Sequence, residues 1–320
     1  MCIYLVKMKK IILINPKNKK KLSRKDLSKF KSFSNIYDLF IPDESNITNI
    51  QSDFYNDVKF PNYEDIEDFG TLLDKAERSI FAKLLDNEIP IGATVLEAGC
   101  GTGQLSIFLS RYNRQIYGID ISKGSLVEAK KFITKNSIKN VTLYRMNIFN
   151  HCFVENTFDV VISNGVLHHT HNAKKAFINL SKILKENGII VIGLYHKYGR
   201  IFHNLRKILI RKFGSNFDIL DKKLRENLSS KKTYAWYKDQ YENPSESLHT
   251  FKEVIGWFKE NNIEYLSSIP FDYVSSEKLF SKKKLRSSFE YLLEEFLLTF
   301  NSRQIYEGGF FIVVGKKVSK

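Results

Sequence analysis

A chain of 320 residues with 43% hydrophobic content is long enough for one large or two modest domains with a real core. Its 50 Lys+Arg against 35 Asp+Glu give a formal charge of +15 at pH 7, which favours polyanions such as RNA or an anionic membrane surface, but the basic residues are scattered except at 17–25, 206–212 and 282–286. No apolar run reaches bilayer length, the start M-C-I-Y-L-V-K-M-K-K carries no secretory leader, and Cys2, Cys100 and Cys152 stand too far apart for a disulfide framework or a cysteine zinc site, so the expectation is a soluble, cytoplasmic, globular protein.

In chain order, residues 3–14 are apolar enough for a strand, and N-P-K-N-K-K-K-L (Asn15–Leu22) and I-Y-D-L-F-I-P-D-E (Ile36–Glu44) follow. This part, 1–45, resembles a small zinc-ribbon module found fused ahead of, or bound to, methyltransferases. Asn15 and Asn18 stand where its first cysteine pair would be, and neutral amides are poor zinc ligands, so the resemblance is to a module that has lost its metal. An unrelated basic extension is the competing reading. The stretch Gln51–Tyr63 is aromatic-rich and broken by Pro61; Phe54, Tyr55, Phe60 and Tyr63 are either a lid over a pocket or ordinary packing. One helix is expected over about Leu72–Leu85, with Leu72, Leu73, Ala76, Ile80, Phe81 and Leu84 on its inner face.

Val95 and Leu96 end an apolar run after the turn signal Pro90-Ile91-Gly92, and Leu105, Ile107, Phe108 and Leu109 recur at helical spacing. T-V-L-E-A-G-C-G-T-G-Q (Thr94–Gln104) therefore reads as strand, glycine turn and helix. The third glycine comes one residue early for a dinucleotide fingerprint and no Lys follows as in a phosphate loop, so phosphate cradling is not expected. Gln115–Ile119 reads as the next strand and ends in Asp120, where an acid accepts hydrogen bonds from both hydroxyls of a ribose. E-x-G-x-G-x-G, with Glu97 before the first glycine, Asp120 and the alternation of strands with helices, together resemble class I S-adenosylmethionine-dependent methyltransferases. The resemblance implies an α/β fold with a doubly wound, mostly parallel seven-stranded sheet over about 46–320. It also implies S-adenosyl-L-methionine as cofactor, held by Glu97, Gly99, Gly101, Gly103, Gln104, Asp120 and Ile121.

Ser122 is placed to cap a helix running through Asn136; Val141–Tyr144, Phe158–Ser163 and Ile189–Leu194 read as the third, fourth and fifth strands. Such alternation implies right-handed crossovers and a crevice at the strands' carboxyl ends. By the resemblance, Asn147 and Ile148 lie against the adenine, with Asn147 serving its exocyclic amine. S-N-G-V-L-H-H-T-H (Ser163–His171) is similar to the S-x-x-V-L-H-H segment of small-molecule methyltransferases, and by that resemblance Asn164 also lies against the cofactor. His168 and His169 are candidates for a general base or a substrate contact, against a reading in which one histidine of the segment packs on the next helix and the others are solvated. His168, His169 and His171 lack the i, i+4 spacing and a nearby carboxylate, so no metal is expected.

From Gly199 to Phe213 an amphipathic pattern puts Ile201, Phe202, Leu205, Ile208, Leu209 and Phe213 on one face and Arg206, Lys207, Arg211 and Lys212 near the other. A core-facing insertion helix is the expectation, with peripheral membrane contact through 199–213 as the alternative. Tyr234–Thr250 packs aromatics and acids around Pro244 and resembles the D-Q-Y-x-x-P-x-E-x-x-H-T segment of a group of bacterial methyltransferases. As part of an insertion at about 197–258 it would cover the crevice, bringing Asp239, Tyr241 and His249 to the acceptor opposite His168 and His169. Thr250 and Glu253 form a capping-box pattern. Glu264–Ile269 and Gly309–Val314 read as the last two strands, split by a second insertion at about 271–307.

The expected function is methyl transfer to an O- or N-nucleophile of a small molecule, with no obligate protein partner evident. RNA is the alternative acceptor, although the N-P-P-Y or D-P-P-Y tetrad of amino-group methyltransferases is replaced by Ser163–Val166. A non-catalytic S-adenosylmethionine-binding scaffold is the alternative of a different class.

Overall fold

The computed structural model describes residues 11–59, 61–213, 221, 224, 230–270, 278–301 and 309–319. Of the expectations above, residues 1–10 with Cys2, the aromatic Phe60 and parts of both insertions lie outside them. Runs of β-branched and aromatic residues form nine strands: β1 (Ser32–Phe33), β2 (Ile36–Asp38), β3 (Thr94–Ala98), β4 (Gln115–Asp120), β5 (Val141–Arg145), β6 (Phe158–Asn164), β7 (Leu184–Tyr195), β8 (Ile263–Ile269) and β9 (Phe310–Lys317). They make one sheet in the order β1-β2-β5-β4-β3-β6-β7-β9-β8. The expected seven strands are β3–β9. All of their pairings are parallel except those of β9, which runs antiparallel to β7 and β8.

Burial on both faces explains the continuous apolar runs of the parallel strands. All five residues of β3 are buried, and they alternate: Leu96 and Ala98 join one core with Phe177, Leu180, Trp257 and Phe258, whereas Val95 joins another with Leu85, Ile107, Phe108 and Leu126. From β3 the chain steps outward through β4 and β5, then returns to the other side of β3 with β6. That reversal opens a crevice at the carboxyl ends of β3 and β6, where open α/β sheets bind ligands.

The N-terminal segment joins this sheet. Tyr37 and Asp38 pair with Tyr144 and Arg145, and the Arg145 guanidinium lies 3.2 Å from both Asp38 carboxylate oxygens. Asn15 and Asn18 accept the backbone N–H of Lys17 and Lys20 at 2.9 and 3.1 Å, each closing its own turn.

After the short α1 (Arg24–Leu27), Ser45 caps α2 (Asn46–Asp57), a helix the sequence reading passed over. The single helix expected over 72–85 is two, α3 (Phe69–Glu77) and α4 (Ile80–Glu88). Ser79 is extended between them and its side chain accepts the N–H of Ala82, which restarts the helix and leaves Ile80 exposed instead of inside. Next come α5 (Gln104–Leu109), α6 (Lys123–Lys135), capped by Ser122, and α7 (Ala173–Ile183). The first insertion holds α8 (Ile201–Phe213), α9 (Ser230–Tyr237) and a π-helical turn over Lys238–Glu242. Thr250 caps α10 (Phe251–Glu260), and α11 (Ser288–Asn301) belongs to the second insertion. Glu253 does not complete the expected reciprocal box, because its carboxylate turns to His249 Nδ1 at 3.1 Å.

Candidate active site

The glycine turn after β3 has two distinct reasons for its glycines. Gly99 has φ +78°, and a Cβ there would sit 2.4 Å from the Val166 side chain, so β6's following loop can close on the turn only over a bare backbone. Gly103 has φ +75° at the N-cap of α5, and its missing Cβ faces Ala129 of α6. It is absent from the cavity lining, and its bare backbone serves the packing of α5 on α6.

In the crevice lies a cavity of about 620 Å³, within the usual range for sites that hold small molecules. One half is built from strand ends: Glu97 in and Gly99 just past β3, Asp120 ending and Ile121 just past β4, Asn147 and Ile148 after β5, and Asn164 closing β6. Asp120 Oδ2 accepts the N–H of Gly101 and Oδ1 that of Ser122, both at 2.8 Å, which fixes the carboxylate while each oxygen keeps a second lone pair. Gln104 holds the loop above by donating to the carbonyl of Asn62 at 2.7 Å. Asn147 is less free than expected: it donates to Ile41 O at 3.2 Å and Asp43 Oδ2 at 3.3 Å, and its Oδ1 accepts Phe149 N–H at 3.0 Å, leaving one lone pair. Asn164 Oδ1 is buried without a hydrogen-bond partner, an acceptor that waits for a donor.

The other half comes from segments far apart in the chain. Thr48, Gln51 and Tyr55 share one face of α2, Tyr195 ends β7, Phe310 begins β9, and Trp236, Asp239 and Gln240 come from the first insertion. Asp239 Oδ1 accepts the Tyr55 hydroxyl at 2.9 Å and Oδ2 accepts Gln240 Nε2 at 2.9 Å. Gln240 also donates to the Tyr195 hydroxyl at 2.9 Å and accepts from Arg200 at 2.9 Å. The Arg200 guanidinium, fully buried, lies 3.1 Å from both Glu246 oxygens and 3.8 Å from the centre of the Tyr195 ring. Burial first, then the nearby Asp239, raises the pKa values of Tyr55 and Tyr195, so both phenols stay protonated. Gln51 gives its amide N–H to Asn243 Oδ1 at 2.8 Å, while its Oε1 is buried without a hydrogen-bond partner.

Of the aromatics read as lid or packing, Tyr55 lines the cavity. Tyr63 stacks on Phe132 at 4.5 Å and donates to Thr102 O, so it packs.

Among the expected catalytic residues, His169 and Asp239 line the cavity and the other three do not. His168 is fully buried behind His169, and burial drives its pKa well down, so it is neutral. Tyr241 is turned away to Asp221, with His203 stacked on it at 5.3 Å. His249 bonds Ser247 Oγ at 2.8 Å and Glu253.

His169 is corrected in role. Its Nδ1 lies 2.9 Å from the carbonyl of Ser245 and so carries the proton, and its Nε2 lies 3.1 Å from His168 Nε2, whose N–H it accepts. Neither nitrogen of His169 is left to take an acceptor's proton. Sequence reasoning missed Thr48, Gln51, Trp236 and Gln240, and only the amide-rich composition of α2 hinted at two of them. Among the described residues no group of three or more His, Cys, Asp or Glu side chains is placed to hold a metal ion, and no helix is long and apolar enough to cross a membrane.

Burial raises the Glu97 pKa to about 7, with a hydrogen bond from Ser106 opposing it. A folded-state pKa above the ordinary 4.5 means that stability from the neutral carboxyl is present at low pH and is lost as pH rises toward 7. A ligand bearing an ammonium group beside Glu97 favours the ionised form. Its affinity is therefore expected to rise between about pH 6 and 8 with release of a fraction of a proton near neutrality. Calorimetry with S-adenosylhomocysteine in buffers of different ionisation enthalpy reads the proton, and Glu97→Gln should abolish the release.

A methyltransferase-domain family profile matches residues 91–261. An uncharacterized methyltransferase of Schizosaccharomyces pombe is 32% identical over 131 residues, covering 38% of this chain and 46% of that protein. The ubiquinone biosynthesis O-methyltransferase of Bradyrhizobium diazoefficiens is 28% identical over 111 residues, 35% of this chain and 43% of that one. In structure, the geranyl diphosphate C-methyltransferase of Streptomyces coelicolor superposes with a TM-score of 0.51 at 13% identity, over 87% of this chain and 100% of that one, a likeness of fold. The matches span less than half the length of these two curated relatives.

Proposed function

The chain belongs to the class I S-adenosylmethionine-dependent methyltransferase family, and from that premise we propose that it methylates an oxygen or nitrogen of a small, uncharged or cationic acceptor. The cofactor supplies an already activated methyl group. The chain's own work is then to hold the ribose on Asp120, to offer Glu97 and the unpaired Asn164 Oδ1 to an ammonium group, to align the acceptor and to receive its proton.

One observation carries the acceptor class. In a chain with 50 Lys+Arg, no Lys or Arg among the described residues lines the cavity, whose acceptor half presents the Asp239 carboxylate and the unpaired Gln51 Oε1. Both accept hydrogen bonds, so the half selects a donor such as a hydroxyl or amine, and it repels phosphate. The relative named for ubiquinone biosynthesis supports a small acceptor as well.

The test is label transfer from methyl-labelled cofactor to panels of phenols, alcohols, amines, carboxylates, isoprenoid diphosphates and bulk RNA. Label in the hydroxyl or amine panels supports the proposal. Label in RNA or diphosphates overturns it in favour of a polyanionic acceptor, and tight cofactor binding with no label in any panel favours a scaffold.

A further inference from the structure

Two helices beside the cavity are built inside out. A surface helix normally buries its apolar stripe and gives its charges to water. In α8 the charges point inward: Arg206 pairs with Asp221 at 3.8 Å, Lys207 with Glu246 at 3.8 Å, and Arg211 donates to Tyr241 O at 3.0 Å. Its apolar stripe faces out, with Ile201 41%, Leu205 52% and Ile208 59% exposed, so the expected core-facing orientation is reversed. In α11, Glu295 is buried, accepting Phe251 N–H at 2.5 Å, and Glu294 pairs with Arg286. Its apolar face is likewise outside, with Phe289 73%, Leu292 52% and Leu293 51% exposed.

Both helices root at one place. Glu295 Oε1 lies 3.2 Å from His196 Nε2, and His196 Nδ1 accepts the N–H of Gly199 at 3.1 Å, at the head of α8. His196 follows Tyr195, which lines the cavity, and Phe310, which opens β9 after the second insertion, lines it too. The exposed faces therefore belong to the segments that enter and leave the acceptor wall.

We propose that these two faces seat the protein on an anionic lipid surface, with the cavity rim turned toward it. Charge decides the occupant. The run Lys282-Lys283-Lys284-Leu285-Arg286 leads directly into α11, with Lys282, Lys284 and Leu285 exposed, and Lys212 is exposed on the last turn of α8. Apolar side chains rimmed by cations match an interface of acyl chains under acidic headgroups. A second copy docking through the same patch about a twofold axis would bring cation against cation. Single exposed hydrophobics are ordinary on a protein surface, but a stripe on each of two helices tied to one histidine is not. The proposal concerns where the chain sits and stands whether or not the acceptor class above is right.

The test is sedimentation of the full chain with phosphatidylcholine vesicles, with and without phosphatidylglycerol. Binding to the acidic vesicles that weakens as salt rises is expected. The variant Ile201→Ser/Leu205→Ser/Ile208→Ser and the variant Leu292→Ser/Leu293→Ser should each lose roughly tenfold or more of it. Calorimetric binding of S-adenosylhomocysteine should be unchanged in both, which shows that the fold and the cavity are intact. Equal sedimentation with and without acidic lipid, or variants that sediment like the parent, overturns the proposal. So does a concentration-dependent dimer that the same substitutions dissociate without any vesicle binding, which would assign the faces to a second copy.

Discussion

Replacing Asp120 by alanine is expected to weaken S-adenosylhomocysteine binding by about two to four orders of magnitude. The carboxylate sits at the end of β4, held by the N–H groups of Gly101 and Ser122 at 2.8 Å, and it is buried enough for its pKa to be raised above the usual carboxylate range. The two backbone N–H groups offset only part of the cost of its burial, and a hydrogen-bonding ligand offsets more. Two ribose hydroxyls donating to it make two charge-assisted bonds, each worth about 1.5–3 kcal/mol, and about 1.4 kcal/mol corresponds to tenfold in affinity. From a baseline in the micromolar range, the alanine variant falls near or beyond millimolar. Asp120→Asn keeps one acceptor oxygen and the same shape, so it should fall between the two. Isothermal titration reads all three proteins. A melting curve on each separates loss of the ligand contact from loss of the glycine turn that Asp120 also braces. Binding by a well-folded alanine variant within about threefold of the parent would sink this assignment.

The contrast between the two halves of the cavity shows what a sequence can disclose. Glu97, Gly99, Gly101 and Asp120 lie within two successive strand-turn units, so their spacing alone brings them together, and each needs a particular residue type for a local reason. The acceptor half draws on α2, the ends of β7 and β9, and the π-helical turn, whose meeting depends on the folded sheet. α2 was overlooked because its buried residues are Thr48, Gln51 and Ser52, which leave no hydrophobic periodicity. It is a helix by virtue of the Ser45 cap and its packing over a polar cavity. The π-helical turn had a different effect. Its wider winding directs Asp239 and Gln240 into the cavity and Tyr241 away from it, an assignment that the order of residues does not fix. In α8 the stripe was read correctly and its direction was not. A 3.6-residue period says that a helix has two faces and is silent about which one the rest of the protein covers.

Asp239→Asn is expected to lower turnover about 10²–10⁴-fold while leaving cofactor affinity within about twofold, because Asp239 is the group we propose as the acceptor's general base. The neighbouring candidates are each disqualified, by their bonds or by burial. His169 has given its proton-bearing nitrogen to Ser245 O and its other nitrogen to His168. His168 lies behind it, and burial keeps it neutral. Tyr55 and Tyr195 are held protonated, by burial first and then by Asp239 itself, so they donate and do not accept. What remains is a carboxylate whose two oxygens are aimed by Tyr55 and Gln240, with Gln240 in turn fixed by Arg200 and Tyr195. Orientation of this kind is what makes a weak base effective, since the proton is received where it is released. Asparagine keeps an oxygen for Tyr55 but sets its own amide N–H against Gln240 Nε2 and cannot take a proton. Tyr55→Phe removes one aiming bond while leaving the carboxylate, so it should lower turnover by a smaller factor, about tenfold. A merely structural Asp239 predicts another pattern, in which melting temperature and cofactor affinity fall together with rate. Turnover of an identified acceptor by Asp239→Asn at the parent's rate would remove the carboxylate from the chemistry and return proton removal to water at the cavity mouth.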